Sequence, residues 1–201
     1  MRLFTYICLY LLIAAPALAS AGGPLDDLRR GIDRGIQILE DPRYIDNSLK
    51  SDQQRELWEV MKQTFDFNEF SRRVLASHYK DFTPQQRNEF SHTFAEFLGK
   101  FYLSRLQRRY NGEKIFYIDE KIVSESRALI AVEVLWKNVQ VPVELRMIKK
   151  DGTWKVYDLT ALGINAVANY RAQFQRILKD SSPDRVIDIV REKIRALQKD
   201  S

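Results

Sequence analysis

The sequence predicts an α+β domain in which about six helices gather around a four-stranded antiparallel sheet. Two observations carry that prediction. Apolar residues recur at helical spacing from Pro24 to Tyr110, and beyond Gly112 the period changes to two before helical spacing returns past Leu159. The period-two runs are joined by only a few residues, which suits antiparallel neighbours and leaves no room for parallel crossovers.

The first helix spans about 24–40, with Leu25, Leu28, Ile32, Ile36 and Leu39 on one face, and Asp41-Pro42 ends it. A second starts near Ser51 and turns Leu57, Val60, Met61 and Thr64 inward. Asp66 caps a third, with Glu69 as its capping-box partner and Phe70, Val74 and Leu75 as its buried stripe. The fourth has the clearest start: Thr83 at the N-cap, Pro84 at the first helical position and Gln86 at N3. It runs to about Tyr110, roughly 40 Å, and carries Phe90, Phe94, Phe97 and Phe101 beside Leu98, Tyr102 and Leu106. Asn111-Gly112 stops it.

Strands follow over 115–123, 128–137, 139–149 and 154–159. In the second, Ile130, Val132, Val134 and Trp136 share a face; in the third, Val139, Val141, Val143, Leu145 and Met147 do. Lys137-Asn138 is a short turn, and Asp151-Gly152 is a strong hairpin signal. A fifth helix is expected from about Ala161 to Lys179, with Ile164, Val167, Tyr170, Phe174, Ile177 and Leu178 inward. Ser182 caps the last and Pro183 opens it; Val186, Ile187, Val190, Ile194 and Leu197 form its stripe.

The N-terminus reads as a secretory leader, residues 1–19, ahead of a single domain over 20–201. Arg2 precedes a largely apolar run of 13 residues, and Ala17-Leu18-Ala19 supplies small residues where a signal peptidase reads. Cleavage is expected after Ala19, or two residues later. Thirteen residues make a helix of about 20 Å, short of a bilayer core of roughly 30 Å. Cys8, the sole cysteine, lies within the leader, so the remaining chain must draw its stability from a packed core. The net charge of +5, one unit of it from Arg2, permits contact with anionic surfaces and makes no case for nucleic acid.

The catalytic inventory is poor. His78 and His92 stand 14 residues apart, outside any H-E-x-x-H arrangement, so neither a metal site nor a cofactor is expected. The chain has no G-x-S-x-G elbow and no G-x-x-x-x-G-K-[ST] phosphate loop. A curved sheet under helices can also house an acid/base enzyme built on one Asp and one Tyr. Tyr157 and Asp158 are adjacent on a strand and point to opposite faces, so only one of them can face such a cavity. Arg105, Arg108 and Arg109 end the long helix, where cations favour the dipole; they read as a solvated or membrane-facing end. The remaining excess is apolar, and it either fills a core or walls a pocket; periodicity leaves both open.

Trp154-Lys155-Val156-Tyr157-Asp158-Leu159, then Gly163-Ile164-Asn165 and Asn169-Tyr170-Arg171-Ala172-Gln173-Phe174, resembles the signature of MlaC-type proteins, the toluene-tolerance family. Phe67–Leu75, Phe82–Arg87 and the aromatic run to Tyr102 resemble the same family's segments, so the likeness extends over about 25–199. Asn165 departs from it, standing where the family commonly has a small hydroxyl residue. The resemblance implies a sheet of the nuclear-transport-factor-2 type wrapped around an apolar cavity for the acyl tails of a phospholipid. It implies a non-enzymatic periplasmic carrier whose only bound molecule is its cargo lipid. Its partners would be an inner-membrane lipid transporter complex and an outer-membrane lipoprotein/porin complex of a Gram-negative envelope. A branch of the family that handles hopanoids is resembled equally well. On this reading the candidate tail-contacting residues are Phe94, Phe101, Val132, Val134, Trp136, Val143, Leu145, Ile164, Val167, Tyr170 and Phe174.

Overall fold

Caps and turns in the sequence place most of the boundaries that the computed structural model describes for residues 22–199. The expected leader lies outside the described residues. Six α-helices are present among them: α1 Pro24–Leu39, α2 Lys50–Thr64, α3 Phe67–Leu75, α4 Pro84–Arg109, α5 Ala166–Leu178 and α6 Pro183–Lys199. Thr83 and Gln86 form the reciprocal capping box that opens α4. Asp66 caps α3 through the Glu69 amide, and Ser182 accepts from the Arg185 amide at the start of α6.

The strands are β1 Lys114–Ser124, β2 Arg127–Trp136, β3 Val139–Lys150, β4 Thr153–Ala161 and β5 Ile164–Asn165. They form one antiparallel meander in chain order. The expected four strands are therefore joined by a fifth of two residues, and α5 starts later than Ala161. The chain turns back at Leu162-Gly163, both at positive φ, so Ile164 pairs with Ala161 before Asn165 caps α5 through the Ala168 amide. Lys137-Asn138 and Asp151-Gly152 are two-residue turns of the same kind, with positive φ at both positions.

The β2–β3 register sets Ile130 opposite Leu145, Val132 opposite Val143, Val134 opposite Val141 and Trp136 opposite Val139. All eight share one face of the sheet, but their fates differ along the strands. Ile130, Val132 and Leu145 are buried with Leu28, Met147, Trp154 and Val156. Toward the other end Trp136 and Val139 are exposed. A second core lies between helices, where Phe70, Phe90, Phe94, Tyr170 and Phe174 interleave with Val186, Ile187, Val190 and Ile194 of α6. The rings of Phe94 and Phe174 meet edge-on at 5.2 Å, as do those of Phe94 and Tyr170 at 5.1 Å. A smaller cluster of Ile38, Tyr44, Leu57 and Leu103 ties α1 and α2 to the far half of α4.

Candidate functional site

Two glycines, one turn apart on the inner face of α1, open a space between that helix, α4 and the sheet. At Gly31 the helix lies so close to Thr64 of α2 that a Cβ would collide with its side chain. At Gly35 a Cβ would meet nothing within 4 Å. The helix thus touches α2 at one glycine and stands clear of its neighbours at the next.

The space has two lobes that share Gly31, Ile32, Gly35, Leu106, Arg109 and Trp136. The inner lobe, 610 Å³, reaches past Leu57, Met61, Phe70, Leu98 and Tyr102 to Leu159 and Tyr170. The outer lobe, 540 Å³, runs under the sheet between Ile36, Leu39, Ile115, Val134, Val141 and Leu162. Each lies within the roughly 300–1,000 Å³ usual for ligand pockets.

The inner lobe is lined mainly by apolar side chains. The Tyr170 hydroxyl is 3.2 Å from that of Tyr102. Burial, reinforced by that contact, pushes the Tyr170 phenol well above its ordinary pKa, so it stays neutral. Two cations also line the space. Arg109 borders both lobes and Arg105 the inner one. The Arg105 guanidinium lies 3.5 Å from the centroid of Phe101 and donates to the Phe101 carbonyl. Glu113 is the acid at the outer lobe; it accepts from the Asn111 amide. This arrangement can enclose a long apolar group and leave a polar end at the mouth.

Of the candidate residues, Val134, Trp136 and Tyr170 line the cavity. Phe94, Val167 and Phe174 lie in the interhelical core, and Val132 and Leu145 in the sheet core, with Val143 packed at its edge. Phe101 packs beside Phe97, Tyr102 and Arg105, and Ile164 stands exposed at the β4–β5 tip. The α1 wall, Ile32, Gly35, Ile36 and Leu39, was not among the candidates, nor were Tyr102 and Leu106. Its signal was a wide apolar stripe interrupted by glycine at positions 31 and 35.

The acid/base pair has structural employment. Asp158 accepts from the Leu159 and Val167 amides and from the Asn165 side chain, holding the start of α5. Tyr157, on the opposite face, lies under the guanidinium of Arg73 at 4.2 Å. Neither lines the cavity. His78 faces Asp81 at 3.0 Å, and the described residues contain no cluster of acids, His or Cys fit to hold a metal. No described helix is long and apolar enough to cross a membrane.

Comparison with known proteins gives three likenesses. The family model described as MlaC protein matches residues 29–192. An intermembrane phospholipid transport system binding protein MlaC from Haemophilus influenzae is 26% identical over 156 residues, covering 75% of this chain and 69% of that protein. Among solved structures, a phospholipid-binding protein from Ralstonia solanacearum, in complex with a phospholipid, superposes with a TM-score of 0.74 at 17% identity. That match covers 88% of this chain and 99% of the other.

Proposed function

The chain belongs to the MlaC family, and from that membership we propose that it is a periplasmic carrier that holds a phospholipid by its tails in the two-lobed cavity. The observation that carries the proposal is an apolar space left open beside two filled cores. Moving a lipid through water exposes its tails at roughly 0.8 kcal/mol per methylene, so a two-tailed cargo needs a deep apolar shelter. The two lobes offer one to each tail, and Arg105 and Arg109 suit an anionic headgroup. The chain has no nucleotide-binding loop, so it cannot impose direction; an inner-membrane transporter complex and an outer-membrane lipoprotein/porin complex of unequal lipid affinity would supply it.

Mass spectrometry of the native protein, with extraction of its lipid, tests the reading. Phospholipid is expected at close to one molecule per chain; a hopanoid in its place would assign the cargo to the other branch, and a bare mass would refute the carrier. Gly35→Leu and Val134→Trp, which fill the cavity from opposite walls, should lower bound lipid several-fold while the thermal transition survives. Phe94→Ala should instead cost about 3–5 kcal/mol of stability, as loss of a core aromatic does.

A further inference from the structure

The cavity mouth is ringed by apolar side chains held out into water. Trp136 and Val139 stand at the β2–β3 tip, 42% and 57% exposed; Leu162 and Ile164 stand at the β4–β5 tip, 69% and 63% exposed. Trp136 and Leu162 border the outer lobe together with Arg109, so the two tips flank one opening.

Leu162 is the odd member. It is the first residue of a two-residue turn, at φ 51, followed by Gly163 at φ 76. Turns of this kind take Asn, Asp or Gly first, because those residues tolerate a left-handed backbone. The other two such turns in the sheet begin with Lys137 and Asp151, both polar. Lys137 bears the same backbone strain with its ammonium in water, whereas at the β4–β5 tip an aliphatic side chain occupies this position, 69% exposed, where it gains little burial. Strain kept at an exposed rim points to a task there.

Charge indicates the partner. Arg109 borders both lobes beside Trp136, and the Lys137 ammonium lies 5.1 Å from the Trp136 ring centroid, at the tip itself. Glu113 opposes them among the lining residues. Aliphatic and indole side chains between cations match the interface of a bilayer, where Trp sits at headgroup level and Lys and Arg meet anionic lipid.

We propose that the two tips form a membrane-docking surface that sets Leu162, Ile164, Val139 and Trp136 into the headgroup layer of an anionic phospholipid bilayer and brings the cavity mouth against it. The proposal rests on the carrier reading for its purpose, since a mouth pressed to a bilayer lets a tail pass without crossing water.

Co-sedimentation with protein-free vesicles tests it. The native protein should bind phosphatidylglycerol vesicles, bind them less as salt rises, and ignore phosphatidylcholine vesicles. Leu162→Asn should weaken that binding about tenfold, the loss of one aliphatic anchor, and should hold or raise the melting temperature, because Asn suits the turn. Val139→Thr lies outside the cavity; it should weaken docking a few-fold and leave co-purified lipid unchanged. Unaltered vesicle binding by Leu162→Asn overturns the proposal. So does a native protein that ignores bare anionic vesicles yet exchanges lipid with membranes bearing their own proteins, which would make the rim a protein dock. Failure of the carrier reading looks different: the surface binds vesicles, and no lipid travels with the protein.

Discussion

Glu69 shows how a single buried charge can organise its surroundings. Its side chain is only 7% exposed, yet it accepts from Arg72 at 2.9 Å and Arg73 at 2.8 Å, with Arg127 at 3.7 Å. The Arg72 hydrogen bonds hold its pKa at about 2, against burial, which pushes it the other way. Arg73 and Arg127 in turn lie over the Tyr157 ring, so one carboxylate fixes α3 against β2 and β4. A depressed pKa stabilises the fold above the unfolded-state value and loses that contribution as pH falls through the folded one. Stability should therefore fall between about pH 4.5 and pH 2. Glu69→Gln should cost about 2–3 kcal/mol at neutral pH and flatten that limb in urea titrations across pH. The capping box expected of Glu69 does not form, because the Asp66 amide donates to the Val156 carbonyl and the Glu69 carboxylate is taken by arginines 3, 4 and 58 residues away, of which only the first two are visible at helical spacing.

At the scale of elements, boundaries were legible wherever they carry their own chemistry. Thr83-Pro84 with Gln86, Asp66, Ser182-Pro183 and Asp151-Gly152 each mark their ends through local hydrogen bonds or backbone preference. The start of α5 was missed because Leu162-Gly163 does not look like a hairpin turn, and its geometry is imposed by pairing of β4 with β5. Ala76 is a second place where context overrides preference: it ends α3 at φ 50 and ψ −119, a region suited to glycine. Ala76→Gly should raise stability by about 0.5–1 kcal/mol, read from the denaturation midpoint at unchanged slope. No gain would mean that the added chain entropy of glycine offsets the relieved strain.

Over the whole molecule, the α+β class, the sheet order and the wrapping by six helices followed from period and connection length. The cavity did not. Whether Val132 or Val134 is sealed depends on what α1 places opposite, and both share one face of one strand at identical spacing. Three of the eleven candidate residues border the cavity because a pattern of apolar positions identifies an inward face and cannot tell filled space from open space. The two glycines of α1 were the readable clue to the opening, and they mattered through packing between elements distant in sequence.

The long helix α4 belongs to both regimes. Its first half is locked among Phe70, Tyr170, Phe174 and α6 through Phe90 and Phe94, while its second half presents Tyr102, Leu106 and Arg109 to the cavity. Amide hydrogen exchange should divide the same helix accordingly. Amides near Phe90 and Phe94 should exchange only through global unfolding, whatever the protein carries. Those from Tyr102 to Arg109 should exchange quickly when the cavity is empty and slow down when cargo fills it. A single continuous helix would then report, from one end to the other, both the integrity of the fold and the state of its load.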